Sequence, residues 1–294
     1  MPELPEVETM KRELQKKVQG RAFLDVWTDT PKLVYHPSSF LAFKREIKNL
    51  RIQKVERKGK VLVLYLTQEK VLLVHPKLTG HFILGHWVYK RQKWEPNLPD
   101  QYIHLMFWLD NQEMLAWSDL RKFSRIEIQL LQEIEKTPLL KNIGPDPLSV
   151  EFSFLKLQQL LGKTQRPIKV VLMDQSLIGG IGNIYANEIL WAAKIYPGRK
   201  SFLLTREEGK KIYQAMRKIL KEAVELEGTS VSDFRGLDNQ PGRYLSRLKV
   251  YRRIGKPCPC CGHPIEKREM RGRSVYYCPL CQPKSDNENV FSNF

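Results

Sequence analysis

The cysteines of this chain constrain its fold more than any other residue type, because all five lie within residues 258–281. Four of them form two Cys-x2-Cys pairs that are separated by 16 residues. Two pairs at such a spacing are typical of a tetrahedral zinc site with four thiolate ligands. The predicted ligands are Cys258, Cys261, Cys278 and Cys281. Four protein ligands leave no open position for chemistry, so we predict one structural Zn²⁺ in a C-terminal hairpin.

Two neighbouring residues leave the ligand set open to alternatives. Cys260 could replace an adjacent cysteine, although a Cys-x-Cys spacing fits less well, and His263 is a weaker alternative ligand. We therefore expect Cys260 not to bind the metal. Cysteines clustered this tightly do not suggest a disulfide framework, and free thiols fit a reducing compartment.

The chain is strongly basic, with 49 Lys+Arg, 32 Asp+Glu and a net charge of +17. Residues 247–284, around the cysteines, hold ten of these cations and two acids, so this segment alone carries +8. Such a surplus predicts a polyanionic partner, with nucleic acid favoured over an acidic membrane surface. A metal-stiffened hairpin with this charge is suited to holding phosphates, and a solvated basic tail is the alternative.

Neither a membrane span nor a secretion signal is indicated. The sequence has no apolar run of the roughly 18 residues that a spanning helix needs. The start, Met1-Pro2-Glu3, lacks the basic and apolar regions of a signal peptide. We therefore expect a cytoplasmic protein that does not bind membranes.

Residues 1–130 are predicted to form mainly antiparallel β-structure with one helix. Residues 5–19 carry apolar side chains at helical spacing, and Gly20 can end that helix. The predicted strands lie in residues 61–66, 71–74, 102–109, 114–117 and 126–130. Short polar turns join the first two strands and the next two, which predicts two hairpins. This pattern favours a β-sandwich.

After a segment rich in proline, residues 137–147, the apolar spacing becomes helical. Helices are predicted in residues 151–161, 183–194 and 205–227. Thr205 and Glu208 have the spacing of a capping box at the start of the third. Residues 233–242 are polar, contain two glycines and predict a long exposed loop. The fold class is therefore α+β, in more than one domain.

The first residues carry a candidate nucleophile. If Met1 is removed, Pro2 becomes the N-terminus and has a free secondary amine. An α-amino group has a pKa of about 7.7–8.0, so a useful fraction is unprotonated near neutral pH. Such an amine can attack a sugar C1′ and form an iminium, with Glu3 beside it to move protons. The alternative is that Met1-Pro2 is an ordinary start of the chain without a catalytic role, with Pro5 in the first turn of a helix.

The opening Pro2-Glu3-Leu4-Pro5-Glu6-Val7-Glu8-Thr9 resembles that of the formamidopyrimidine-DNA glycosylase (Fpg, or MutM) family of bacterial base-excision repair enzymes. The resemblance extends over several motifs to about Gln282. It implies a bifunctional DNA glycosylase and AP lyase that excises 8-oxoguanine and formamidopyrimidines from duplex DNA. Pro2 would be the nucleophile, Glu3 would transfer protons and Glu6 would help to position the nucleotide. β- and δ-elimination would then cut the strand on both sides of the lesion.

The resemblance implies roles for four further residues. Lys60 corresponds to a catalytic-pocket lysine, although a solvated lysine at a strand end is an equal interpretation of the sequence. His75 corresponds to a histidine that contacts phosphate. Asn183, in a glycine-rich turn that could also be only a turn, corresponds to the asparagine of a helix–two-turn–helix module that contacts the DNA backbone. Arg273 corresponds to the zinc-finger arginine that grips phosphates at the lesion and serves catalysis.

Two turns depart from the pattern of that family. A His-Leu-Gly-Met-Ser-Gly-like turn is replaced by residues 75–80, His-Pro-Lys-Leu-Thr-Gly, and an Asp-Pro-Arg-Arg-Phe-Gly loop by residues 119–124, Asp-Leu-Arg-Lys-Phe-Ser. The family fills the gap left by an everted nucleotide with methionine, arginine and phenylalanine, which correspond to Leu78, Arg121 and Phe123. Base flipping costs roughly a few kcal/mol, which apolar wedges and an arginine donor partly offset. Without the resemblance, Phe123 would be interpreted as a core residue.

The resemblance also implies domain limits and partners. We expect a catalytic β-sandwich domain in residues 1–133, a linker in 134–147, a helix–two-turn–helix DNA-binding domain in 148–246, a zinc finger in 247–284 and a flexible tail in 285–294. Residues 233–242 fall where the family has a lesion-capping loop. The expected partner is double-stranded DNA with oxidised bases or abasic sites, bound by a monomer that is nucleoid-associated through DNA.

Three other functions compete with this one. An endonuclease VIII-type glycosylase would act on oxidised pyrimidines, but that branch usually has glycine where this chain has Leu4. A non-enzymatic homologue that binds damaged DNA would explain the altered turns but not Pro2, Glu3 and Lys60 together. An RNA- or ribosome-binding zinc protein would explain the charge and the cysteines but not Pro2.

Overall fold

The computed structural model describes residues 1–90, 93–96, 102–231 and 234–284, and the predicted tail 285–294 lies outside them. The chain divides into two compact units. Unit 1 comprises Met1–Asn142 and Val224–Leu245, and unit 2 comprises Ile143–Ala223 and Ser246–Phe294. The domain limits expected from the sequence stay a prediction.

Unit 1 contains two α-helices and eleven strands in its described part. They are α1 (Leu4–Lys17), β1 (Phe23–Thr28), β2 (Val34–His36), α2 (Phe40–Ile47), β3 (Ile52–Lys58), β4 (Val61–Leu66), β5 (Lys70–His75), β6 (His81–Gly85), β7 (Trp87–Lys90), β8 (Lys93–Pro96), β9 (Ile103–Leu109), β10 (Met114–Ser118) and β11 (Arg125–Leu130). The two predicted hairpins are confirmed, since β4 pairs with β5 and β9 pairs with β10, both antiparallel.

All of these strands except β7 and β8, which pair with each other, form a sandwich of two sheets. In the described part of the chain, one sheet has the order β1-β9-β10-β6 and the other β2-β11-β5-β4-β3. Adjacent strands are antiparallel, except that β2 runs parallel to β11. Alternating side chains of both sheets enter one apolar core. The alternate positions of β6, β9 and β10 are buried in a second apolar cluster, which includes Ile83, Met106 and Ala116. The predicted β-sandwich is therefore confirmed.

Helix α1 covers part of this core. Val7, Met10 and Leu14 are fully buried on one face, at the spacing that the sequence predicts. Pro5 lies in its first turn, and Lys16 and Lys17 lie in its last turn, where the helix dipole favours cations. The helix therefore begins and ends close to the predicted limits.

A second helix of unit 1, α2, is absent from the sequence prediction. It has eight residues, begins after Ser39 and buries Phe43 and Ile47. The Ser39 side chain accepts a hydrogen bond from the Ala42 N–H at 3.4 Å. A serine N-cap followed by apolar residues four apart was the available signal.

Unit 2 combines helices with a zinc-finger hairpin. Its elements are α3 (Phe154–Gly162), α4 (Ile168–Met173), α5 (Asn183–Ala193), α6 (Arg206–Glu225, whose last two residues are counted in unit 1), β12 (Glu266–Met270) and β13 (Arg273–Tyr277). The three predicted helices correspond to α3, α5 and α6, and the short α4 was missed. The capping box is present, because Thr205 N donates to Glu208 Oε2 at 2.8 Å and Glu208 N donates to Thr205 Oγ1 at 3.2 Å.

Candidate active site and zinc centre

The predicted nucleophile lies at a tightly held helix start. Pro2 is buried and Glu3, the N-cap of α1, is 2% exposed. The Glu6 carboxylate accepts the Glu3 N–H at 2.8 Å and the Thr229 N–H at 2.7 Å, one on each oxygen. A Cβ at position 228 would lie 2.7 Å from the same carboxylate, which explains glycine there. Glu6 therefore fixes the residues next to Pro2 against a distant part of unit 1.

Lys60 is buried, at 7% exposure, immediately before β4. Its interpretation as a solvated strand-end lysine is therefore wrong. The turn before it is connected to α1, because Arg57 Nε lies 3.0 Å from Glu8 Oε2 and Arg57 Nη1 donates to the Gly59 carbonyl at 2.9 Å. Burial opposes ionisation of Glu8, but Lys11 and Arg57 hold its pKa below the ordinary value. This ion pair fixes α1 against the turn that carries Lys60.

His75 is held as a neutral imidazole. Burial, followed by the charges of Lys77, Lys60 and Arg125, lowers its pKa to about 3. The Lys77 N–H donates to His75 Nδ1 at 2.9 Å. Because Nδ1 is an acceptor there, Nε2 carries the proton and can donate to an anion.

The three residues of the predicted wedge lie on two turns of unit 1. Leu78 is partly buried and Arg121 is exposed. The Phe123 ring is 52% exposed, so its interpretation as a core residue is wrong. The Arg121 guanidinium lies 4.9 Å from the centre of that ring, a cation–π distance.

The segment that was predicted to be an exposed loop is anchored instead. Phe234 and Leu237 are 4% and 0% exposed and belong to the sandwich core. Leu84 N donates to the Leu237 carbonyl, and Leu237 N donates to Glu13 Oε2, both at 2.9 Å. Burial raises the pKa of Glu13. Two isolated apolar residues in a polar stretch were too weak a signal, and residues 232 and 233 lie outside the described part.

The four predicted cysteines converge in unit 2. Their Sγ atoms lie within 4.8 Å of one another, with Cys261–Cys278 at 3.4 Å and Cys258–Cys281 at 3.9 Å. Zinc bonds of about 2.3 Å in a tetrahedron place sulfur atoms about 3.8 Å apart, so the site fits this metal. Cys260 is exposed and is not part of the metal-binding cluster found among the described residues.

Neighbouring donors favour the thiolate form of one ligand, Cys258. Burial alone would raise the pKa of Cys258, but the Cys260 N–H and the Trp191 indole lower it to about 6. Trp191 Nε1 donates to Cys258 Sγ at 3.4 Å. A bound zinc ion supplies rigidity to the hairpin, whose ligands leave no position for substrate.

Side chains of α5 connect that helix to the finger. The buried Glu188 carboxylate accepts the N–H groups of residues 249, 250 and 251 at 2.8 to 3.0 Å. Burial raises the pKa of Glu188. Asn187 Oδ1 accepts the Tyr276 N–H at 3.0 Å, and Gln282 Nε2 donates to the Ile195 carbonyl at 2.8 Å. Sequence reasoning missed these residues, although a glutamate in an otherwise apolar helix was a usable signal.

The proposed phosphate contacts of unit 2 lie at element ends. Asn183 is the first residue of α5, after a glycine turn that Gln175 braces by accepting the Gly180 N–H at 2.9 Å. Arg273 is the exposed first residue of β13. Next to it is a cavity of about 280 Å³ whose lining includes four cations, Arg166, Lys169, Arg271 and Arg273, and one acid, Asp174, which pairs with Arg166 at 2.7 Å. The buried Lys169 donates to the Ser274 carbonyl at 2.6 Å. This face of unit 2 is suited to an anion.

No helix in the described part of the chain has the length and apolar character needed to cross a membrane. A β-sandwich, a helical module and a four-cysteine finger together define the class of zinc-finger DNA glycosylases. Three family models match the corresponding parts of this chain. The models are the formamidopyrimidine-DNA glycosylase N-terminal domain over residues 1–126, the H2TH domain of the same glycosylases over 143–235, and a zinc finger found in FPG and IleRS over 255–284.

Known proteins match nearly the whole chain. A formamidopyrimidine-DNA glycosylase of Bacillus cereus is 38% identical over 97% of this chain and 100% of its own length. The MutM (Fpg) protein of Thermus thermophilus is 36% identical, with a TM-score of 0.84 over 97% of this chain and 100% of that one. Lactococcus lactis Fpg, solved with abasic-site DNA, is 31% identical, with a TM-score of 0.85 over 96% and 100%. This chain belongs to the formamidopyrimidine-DNA glycosylase family.

Proposed function

We propose that this protein is a bifunctional DNA glycosylase and AP lyase that excises 8-oxoguanine and formamidopyrimidines from duplex DNA. The family relationship supports glycosylase activity, and the related Lactococcus lactis Fpg has been solved with abasic-site DNA and with Fapy-dG-containing DNA. The observation that carries the proposal is the arrangement in unit 1 that holds the N-terminal residues and Lys60. The Glu6 contacts hold the start of α1, and the Glu8–Arg57 pair holds that helix against the turn before Lys60.

In the proposed reaction, removal of Met1 exposes the Pro2 nitrogen. Its lone pair attacks C1′, the glycosidic bond breaks, and the departing base takes the bonding electrons and a proton. Opening of the sugar ring gives the iminium as the amine loses its proton, with Glu3 moving protons to and from the ring oxygen. The iminium acidifies the neighbouring C2′ hydrogen. Loss of the 3′ phosphate and then of the 5′ phosphate follows by β- and δ-elimination.

The other proposed residues bind or position DNA. Glu6 already accepts two backbone N–H groups, so it acts by holding the site together around the nucleotide. Neutral His75 contacts phosphate through Nε2–H. Asn183 and Arg273 contact phosphates from unit 2, and Lys60 contributes a buried cation in unit 1. We also infer that the protein acts on DNA as a monomer in the cytoplasm.

The test is borohydride trapping of the iminium on duplexes that contain 8-oxoguanine or an abasic site. The wild-type protein, with a free Pro2 verified by intact mass, should form a covalent adduct on both. A protein with an extended N-terminus, in which the Pro2 nitrogen is part of a peptide bond, should form none while still binding damaged DNA. The matched control is Pro5→Ala, which removes the other proline of the opening and should retain trapping.

Other outcomes would redirect the assignment. A normal adduct in the N-terminally extended protein would refute Pro2 as the nucleophile. Cleavage of oxidised pyrimidines in preference to 8-oxoguanine would favour the endonuclease VIII type. Binding of damaged duplex without cleavage or trapping by the wild-type protein would identify a non-enzymatic homologue.

A further inference from the structure

The two turns that depart from the family pattern are joined by a buried carboxylate. Asp119 is 0% exposed and both of its oxygens accept hydrogen bonds. Oδ2 accepts the Ser124 N–H at 2.9 Å and lies 2.7 Å from the Ser124 hydroxyl. Oδ1 accepts the Thr79 hydroxyl from the other turn, and the Arg121 N–H is shared between Thr79 Oγ1 at 3.1 Å and Asp119 Oδ1 at 3.3 Å. We call Thr79, Asp119 and Ser124 the Asp119 cluster.

Ser124 is central to this cluster, although the related motif has glycine at its position. Its single hydroxyl proton goes to Asp119 at 2.7 Å, since the Pro76 carbonyl is farther away at 3.2 Å. The hydroxyl also occupies the space beside Gly80, where a Cβ would lie 2.3 Å from Ser124 Oγ and 2.3 Å from Trp117 Cζ2. The serine therefore fills the contact surface between the two turns.

Each turn also contains a lysine in a conformation that favours glycine. Lys77 has a φ of 51° and Lys122 has a φ of 54°. The left-handed region is unfavourable for such residues and persists when surrounding contacts impose it. These lysines directly precede Leu78 and Phe123, so the contacts that hold the lysines also set the direction of both apolar side chains.

We propose that Ser124 is a positioning residue that, through Asp119, makes the two turns one rigid support for Leu78 and Phe123. The inference rests on the proposed function, because it concerns extrusion of a base from the DNA stack. A support held by buried, charge-assisted hydrogen bonds presents both apolar side chains to the duplex in one geometry. Without the serine hydroxyl, the turns lose a bond to Asp119 and the strained Lys122 is less well held.

The test compares two substrates under single-turnover conditions, using the full-length zinc-containing protein. Ser124→Ala should slow excision of 8-oxoguanine from a paired duplex about tenfold, the size expected for one hydrogen bond to a buried charged group. Cleavage of a preformed abasic site should change less than about twofold, because a missing base lowers the cost of extrusion. Ser118→Ala, a matched buried serine outside the cluster, should alter neither rate.

Two further variants separate positioning from general damage. Thr79→Val removes the hydroxyl from the opposite turn and should reproduce the selective loss, even if Ser124→Ala folds poorly. Lys122→Gly removes the left-handed strain at this position. Ser124→Ala should therefore slow excision less when it is made in the Lys122→Gly protein than when it is made in the wild-type protein. A structural defect would lower the active fraction and slow both substrates equally.

The outcomes are distinguishable from failure of the proposed function. Equal losses on the two substrates, or no loss in both Ser124→Ala and Thr79→Val, would overturn the positioning role while leaving the glycosylase assignment intact. A wild-type protein that cleaves neither substrate would refute the proposed function, and the inference with it.

Discussion

Phe123→Ala tests whether the exposed ring of unit 1 enters the DNA stack. The ring is 52% exposed and lies against the Arg121 guanidinium rather than in the core. If it fills the space of an everted nucleotide, its removal should slow excision of a paired lesion. It should slow cleavage of a preformed abasic site much less, because that nucleotide has no base to unstack.

The exposed area of the ring sets the expected size of the effect. A phenylalanine side chain has roughly 200 Å² to bury, so at 52% exposure about 100 Å² is available for DNA to cover. At about 25 cal/mol per Å², full coverage is worth about 2.5 kcal/mol, or about 70-fold in rate. If DNA covers half of this area in the transition state, the rate of excision changes by about 8-fold. We therefore expect excision to slow by about 8- to 70-fold.

The assay measures single-turnover rates for a duplex with 8-oxoguanine and for one with an abasic site. Leu41→Ala is the matched control, since it removes an apolar side chain that is 70% exposed on α2. The control should change neither rate. Equal losses of rate on both substrates would show that Phe123 supports the fold and would refute its insertion into the DNA stack. A fall of more than about 1 kcal/mol in the free energy of unfolding would show the same.

The described contacts support three other predictions. Cys278→Ser should lose zinc and most DNA affinity while the sandwich stays folded, and Cys260→Ser should keep one zinc per chain, as metal analysis and circular dichroism can check. Glu188→Ala leaves three N–H groups without their acceptor, so it should lower the free energy of unfolding in denaturant by roughly 3 kcal/mol or more. Glu188→Gln should lower it less, and an Ala variant as stable as the wild-type protein would contradict this. The folded His75 pKa of about 3 is below the ordinary 6.5, so the unfolded chain binds the extra proton between these values. Stability should therefore fall as pH drops from about 6.5, and His75→Gln should reduce that fall in urea titrations at pH 7 and 5.

Much of the fold was predictable because its signals are local. The zinc centre depends on four cysteines within 24 residues, and two short pairs on one hairpin bring their thiols together without help from distant chain. The hairpin of β4 and β5 and the capping box of α6 likewise depend on neighbours in sequence. Short helices such as α4 were missed because six residues hold too little periodic pattern.

Exposure of single side chains was decided by tertiary contacts. The sequence alone left Lys60 as an equal choice between a solvated and a pocket residue, and it favoured a core position for Phe123. In the structure Lys60 is buried and Phe123 is exposed. The turn before Lys60 is fixed to α1 through the Arg57–Glu8 ion pair, and the turn that carries Phe123 is held by hydrogen bonds to Asp119.

The order of amino acids supplies the groups on which the proposed chemistry depends: a proline next to a glutamate at the start of the chain, four cysteines and a concentrated positive charge. Which distant groups these residues meet depends on how the chain packs. Glu6 accepts the N–H of Thr229, 223 residues away, and Leu237 enters the core although its neighbours are polar. Hydrogen bonds and burial between such distant segments form only in the packed fold, and no local pattern of residue types encodes them.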